Sequence, residues 1–191
     1  MTYEQFGISR KDALELLHSK IHNENLFKHC LASEAVLRAM AVRLGEDPDK
    51  WGLAGLLHDL DAESQPDLRV HTREAVDILR EAAVDNEIIE AIRLHNPSAH
   101  PGEVRSTPFH HALAAGETIT GLIIATTLVY PDKKISSVKP KSVRKRIKEK
   151  AFARGADRET IKECEQAGIP LAEFCALSLE AMQGIEKELG L

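Results

Sequence analysis

Aromatic residues are scarce, at 4% of 191 positions, and the three cysteines, Cys30, Cys164 and Cys175, form an odd set with no CxxC pair. That pattern excludes a disulfide framework and a thiolate zinc site, and the expected compartment is the reducing cytoplasm. Long apolar runs are missing too. The longest, Ile119 to Val129, is interrupted by Thr120, Gly121, Thr126 and Thr127, and it falls short of the ~20 residues a spanning helix needs. The first residues lack the apolar region of a signal peptide, so neither membrane nor secretion is expected. With 43% hydrophobic residues the chain can bury one core without metal or disulfide staples. Plentiful Leu, Ile, Val and Ala suit packed helices, and the expected class is all-α, a single domain over residues 1–191.

Charge is unevenly placed. Residues 132–158 hold eleven Lys and Arg against Asp132, Glu149 and Asp157, a local +8 in a chain of net −5. A solvated helix face is the simpler reading of that basic segment, and a polyanion partner is the alternative.

Start and stop signals divide the chain into about eight helices. The first runs from Arg10 to Ile21; Asn23 caps the second, which Gly45 ends; Asp47 and Pro48 open the third. Gly52 and Gly55 inside the third helix each cost about 1 kcal/mol relative to Ala, which implies a second helix crossing closely there. Further helices are expected at His71–Ala83, from Asp85 to a stop at Asn96-Pro97, from Thr107-Pro108 to Val129, at Asp157–Ala167 and at Pro170–Leu189.

Several polar residues fall on apolar stripes at helical spacing. His29 aligns with Leu26, Val36 and Met40; His71 with Ala75, Ile78 and Ala82; His95 with Ile88 and Ile92. Glu117 shares a stripe with Leu113, Thr120 and Ile124, where an isolated carboxylate must neutralise, pair or coordinate. Within GLLHDLDAE, His58 and Asp59 follow an apolar run and converge on one point only if the helix ends there, since neighbours on a helix diverge by about 100°. A metal ion would give these groups a common partner. Imidazoles and carboxylates suit Fe, Mn, Co, Zn or Mg better than copper. His18 and His22 have i, i+4 spacing without the Glu of a helical zinc motif, and His100, His110 and His111 are expected at the surface.

The ordered set of His29, the adjacent pair His58-Asp59 and a later carboxylate resembles the HD-domain superfamily of metal-dependent phosphohydrolases. NENLFKH, WGLAGLLHDLD, ITGLI and VKPKSVRKRIKEKAFARGADRETI are similar to a subgroup of small bacterial and archaeal HD proteins. The resemblance implies a phosphodiesterase-like helical bundle, with a core over residues 23–130 and a helical extension over 131–191. It also implies one or two divalent ions held by His29, His58, Asp59 and the final carboxylate, with His71 and His95 as the extra histidines of dinuclear members. Two departures stand out: Glu117 replaces the family's Asp, and HTREA carries Ala75 where the family's HxxxG has Gly.

The implied chemistry is hydrolysis of a small phosphorylated substrate, preferentially a nucleotide, by metal-activated water, with His58 and Asp59 at its centre. Lys28, Lys141 and Arg144 are the expected phosphate-binding residues. A non-haem di-iron oxygenase and a degenerate module binding nucleotide or nucleic acid are the alternatives. Nucleic acid is the less favoured partner, and no oligomeric state is implied.

Overall fold

Ten α-helices build the computed structural model, which describes residues 3–191 and contains no strand among them. They are α1 (Arg10–Lys20), α2 (Glu24–Leu44), α3 (Pro48–Leu57), α4 (Arg73–Glu81), α5 (Asn86–His95), α6 (Pro108–Leu128), α7 (Pro140–Lys148), α8 (Arg158–Lys162), α9 (Leu171–Gln183) and α10 (Glu186–Leu189). The cap residues act as their chemistry predicts. Asn23, Asp47 and Asp85 each accept two backbone N–H groups at the starts of α2, α3 and α5, Thr107 accepts one at α6, and Gly45 ends α2 at φ 77°.

The structure differs from the sequence reading in four places. The basic segment contains α7, and the expected last helix is divided at Gly184 and Ile185 into α9 and α10. Helix α8 is a short stretch continued by a 3-10 turn at Glu163–Glu165. Helix α4 begins at Arg73 rather than His71, for a reason that lies at the functional site.

Helices α2 and α6 run through the middle. Helix α2 packs on α3, α6 and α9, and α6 packs also on α5, α7 and α8. By length and composition α6 would be able to cross a membrane, but here Leu113, Ile119, Leu122 and Ile123 are fully buried inside the protein. Its buried hydroxyls are satisfied within the helix, Thr126 donating to Leu122 O and Thr127 to Ile123 O. Residues beyond 130 join the same core through Ile135, Val143, Ile161 and Phe174.

The crossing of α2 and α3 is set by Gly55. A Cβ there would lie 2.6 Å from Ser33 O and 2.9 Å from Glu34 N, both backbone atoms of α2. At Gly52 the atoms nearest the added carbon belong to the Arg38 side chain, at 2.8 Å. Arg105 and Glu163 bind in a two-pronged ion pair at 2.7 and 2.6 Å, with His111 Nδ1 2.7 Å from the same carboxylate. This joins the loop before α6 to the turn after α8. Burial opposes ionisation of Glu163, but Arg105 and His111 outweigh it and hold the carboxyl below its ordinary range.

Two outcomes are expected. Gly55→Ala should lower stability in urea unfolding by roughly 1–3 kcal/mol through overpacking, whereas Gly52→Ala stays within about 1 kcal/mol of wild type because a side chain can move aside; equal losses would remove the crossing argument. A depressed pKa at Glu163 contributes stability above the unfolded value of about 4.3 and loses it as pH falls through the folded value. Glu163→Gln should therefore flatten the acid limb of stability as pH falls below about 4.3, as urea titrations at several pH values would read.

Candidate metal centre

Helices α3 and α5 end at the same place, and each ends in a histidine. His58 is the C-cap of α3 and its Nδ1 donates to Gly55 O at 2.9 Å; His95 is the last residue of α5 and its Nδ1 donates to Ile92 O at 2.6 Å. Carbonyls in a last helical turn lack intrahelical partners, so both rings satisfy one such group and direct Nε2 past the helix end. Both helix C-termini also bring partial negative charge to this point, which favours a cation.

The other two rings are fixed by partners distant in sequence. His29 Nδ1 lies 2.9 Å from Thr120 Oγ1, and because that hydroxyl donates its own proton to Glu117 O at 2.7 Å, it accepts from His29. His71 Nδ1 donates to Asp61 Oδ1 at 2.7 Å. Asp61, wholly buried on its side chain, also accepts from the backbone N–H of Thr72 at 2.9 Å and of Ala75 at 3.1 Å. Ala75 is the third residue of α4, the position a capping side chain normally serves, and Thr72 makes no such bond itself. Asp61 thus caps α4 from the turn that follows α3. Thr72 adopts the left-handed φ of 86°, uncommon for a β-branched residue, and His71 stays outside the helix. This corrects the expected helix at His71–Ala83.

All four imidazoles therefore commit Nδ1 to a partner outside the centre and turn Nε2 inward. His29 and His58 face each other with Nε2 atoms 3.1 Å apart, and His71 and His95 at 3.3 Å. In neutral rings these are acceptor against acceptor, an arrangement that needs a proton or a cation between them. Asp59 lies among the four: Oδ1 is 3.1 Å from His71 Nε2, 3.5 Å from His58 and 3.6 Å from His95, and Oδ2 is 3.7 Å from His29. Two ligand groups result, His29–His58–Asp59 and Asp59–His71–His95, with donor atoms in each mutually within 4.8 Å and Asp59 common to both. The donor set fits a borderline divalent ion, or two.

Burial dominates His58 and pushes its pKa down to about 3, so the ring is neutral. Burial also opposes charge on His71, but hydrogen bonds to Asp59 and Asp61 outweigh it and push the ring up to about 9. For Asp59 burial works against ionisation, and the surrounding imidazoles hold the carboxyl well below its usual range nonetheless.

Glu117 stands just outside both groups. Its Oε2 is 3.8 Å from His29 Nε2, Thr118 donates its hydroxyl to Oε1, and burial raises the carboxyl pKa. A cavity of about 340 Å³ opens here, lined by His29, Glu117, Thr118 and Gly121 on one side and by Ala153, Gly155, Ala156 and Asp157 on the other. The latter wall, from the loop before α8, was not anticipated from sequence.

Lys28, Lys141 and Arg144 do not reach that cavity. Lys28 follows a different helix face from His29 and lines a cavity with His18 and His22, while Lys141 and Arg144 line a third, because α7 turns Val143 and Ile147 to the core. The expectation of a surface position also fails for three histidines. His110 is buried and accepts from Ser106 N, His111 binds Glu163, and His100 Nε2 lies 2.9 Å from Thr72 Oγ1. His18 stacks on Phe27 at 4.1 Å. Each has a local partner and needs no metal.

The family described as HD domain matches residues 26–158. No curated protein and no solved structure matches the chain.

Asp61 orients His71 and caps α4, so Asp61→Ala should weaken metal binding by the Asp59–His71–His95 group about 10- to 100-fold and cost about 1 kcal/mol of stability. Metal titration by calorimetry beside urea unfolding would check both; unchanged metal affinity would leave Asp61 a cap alone.

Proposed function

The chain belongs to the HD-domain family, and from that membership and the converging donor set we propose a metal-dependent phosphohydrolase, a phosphatase or phosphodiesterase acting on a nucleotide or other small phosphorylated metabolite. The family is one of metal-dependent hydrolases. The observation that carries the reading is the convergence of four Nε2 atoms on Asp59, each ring already committed through Nδ1.

In this reading His29, His58 and Asp59 would hold one divalent ion, and Asp59, His71 and His95 would hold a second. Glu117, with Oε2 3.8 Å from His29 Nε2, would be the nearby carboxylate available to the first set. Fe, Mn, Co, Zn and Mg all suit these donors. Once bound, such ions supply Lewis acidity toward water and toward phosphoryl oxygens. The protein's own part is orientation: Thr120, Gly55 O, Asp61 and Ile92 O fix the four rings before anything binds, so little reorganisation remains.

The cavity supports a small substrate, since about 340 Å³ lies in the range of small-ligand sites. None of its lining residues is a lysine or arginine, while Glu117 and Asp157 both border it. A phosphate entering alone would meet negative charge, which supports dependence on a divalent cation. Gly121 and Gly155 leave open space where side chains would project.

Elemental analysis of freshly purified protein, followed by a phosphatase and phosphodiesterase screen with several divalent metals, tests the reading. His58→Ala and Asp59→Ala should each lose bound metal and reduce phosphate release to background, and Lys28→Ala should change neither. Wild-type metal content in Asp59→Ala would overturn the assignment, and iron-dependent oxygen uptake without phosphate release would replace hydrolysis by oxygen chemistry.

A further inference from the structure

A second concave site lies away from the metal centre, between α7, α8 and the start of α9, with a volume of about 830 Å³. It shares no lining residue with the metal-centre cavity. Seven Lys and Arg line it against Glu159 and Glu165, so its character is cationic. Lys141, Arg144, Lys145 and Lys148 recur at three- and four-residue steps along α7, which places them on one stripe beside the cavity. Lys150 and Lys162 add to it from the flanking segments.

Carboxylates account for only part of this charge. Lys145 reaches Glu149 at 3.8 Å and Lys162 reaches Glu159 at 2.8 Å. Arg158, at the edge of the cavity, donates to the backbone carbonyls of Ala153, Ala156 and Phe152. Lys141, Arg144, Lys148 and Lys150 have no ion pair with any described carboxylate. The arrangement costs the helix stability, because like charges at these spacings repel. Lys141 also sits in a first turn without an acidic residue, where the helix dipole disfavours a cation. The chain outside residues 132–158 is acidic, so this concentration does not follow from overall composition.

We propose that this cavity is a binding site for a multiply phosphorylated small anion, separate from the metal centre. Four unpaired cations converging on one concavity require more than a single phosphate to balance them. Ile147, Pro170 and Leu171 supply an apolar wall suited to a non-phosphate portion of the ligand. The volume is that of a small-molecule site. No aromatic side chain lines it, so it lacks the stacking platform by which single-stranded nucleic acid is usually held.

The test is calorimetric titration of inorganic tripolyphosphate into the wild type and four variants. Arg144→Ala/Lys148→Ala should weaken binding about tenfold or more, two charge-assisted contacts being lost. Lys133→Ala/Lys134→Ala removes equal charge from the same basic segment outside the cavity and should leave affinity unchanged, as should Asp59→Ala. Arg144→Lys/Lys148→Arg should retain binding, which separates lost charge from damaged folding. No saturable binding, or equal weakening in the two double-alanine variants, would overturn the site. Loss of binding in Asp59→Ala would move the anion to the metal centre and overturn it as well. So would tight binding of an oligothymidylate that tripolyphosphate does not displace.

Discussion

Four imidazole Nε2 atoms turned inward around the Asp59 carboxylate set the terms for the rest of the structure. Neutral rings at 3.1 and 3.3 Å do not hydrogen-bond through two acceptors, and His58, at about 3, carries no extra proton at neutral pH. His71 does hold a proton easily, because Asp59 and Asp61 both accept from it. That proton bonds to Asp59 and so occupies, in part, the role of a positive centre. The site is organised for cationic charge, and its neighbours are arranged to keep it so.

The scaffold meets that demand with few residues, some of them used twice. Gly55 permits α2 to approach α3 closely enough to bring His29 opposite His58, and its carbonyl is also the acceptor that sets the His58 ring. Asp61 begins α4 and fixes His71 with a single carboxylate. Thr120 links His29 to the backbone of α6 at Glu117, so the helix carrying the outlying carboxylate also steers a ring. Coupling of this kind makes packing and chemistry hard to separate: a change that shifts α3 against α2 also re-aims two imidazoles.

Local signals carried most of the fold and the inward histidines. The starts of α2, α3, α5 and α6 were legible because a capping side chain bonds two or three residues ahead. His29, His95 and Glu117 were legible because a polar residue on an apolar stripe breaks a periodic pattern. What escaped depends on contacts across the sequence. Helix α4 takes its cap from Asp61, eleven residues before Thr72, so periodicity alone extended it to His71. His110, His111 and His100 lie in loops and a first turn, yet each finds a hydrogen-bond partner, Ser106 N, Glu163 and Thr72 respectively. Lys28 adjoins His29 in sequence and diverges from it in space, as neighbours on a helix must.

The distribution of charge matches what a divalent ion at the candidate centre would require. A lysine or arginine beside Asp59 would compete for its carboxylate and repel a divalent ion, whereas helix C-termini and carboxylates attract one. The lining of the central cavity accordingly contains Glu117 and Asp157 but no basic residue. The basic residues of 132–158 are instead carried by α7 and its flanks, with Val143 and Ile147 anchoring the helix to the core and its cations turned toward another cavity. Between the two cavities runs a short segment in which Ala156 and Asp157 border one and Arg158 the other. Arg158 holds that segment through carbonyls on both sides of it, including Arg146 O and Glu149 O at the end of α7. One guanidinium thereby fixes the wall of the cation-seeking site and the edge of the anion-seeking one, and the two opposite demands coexist in a chain of this size.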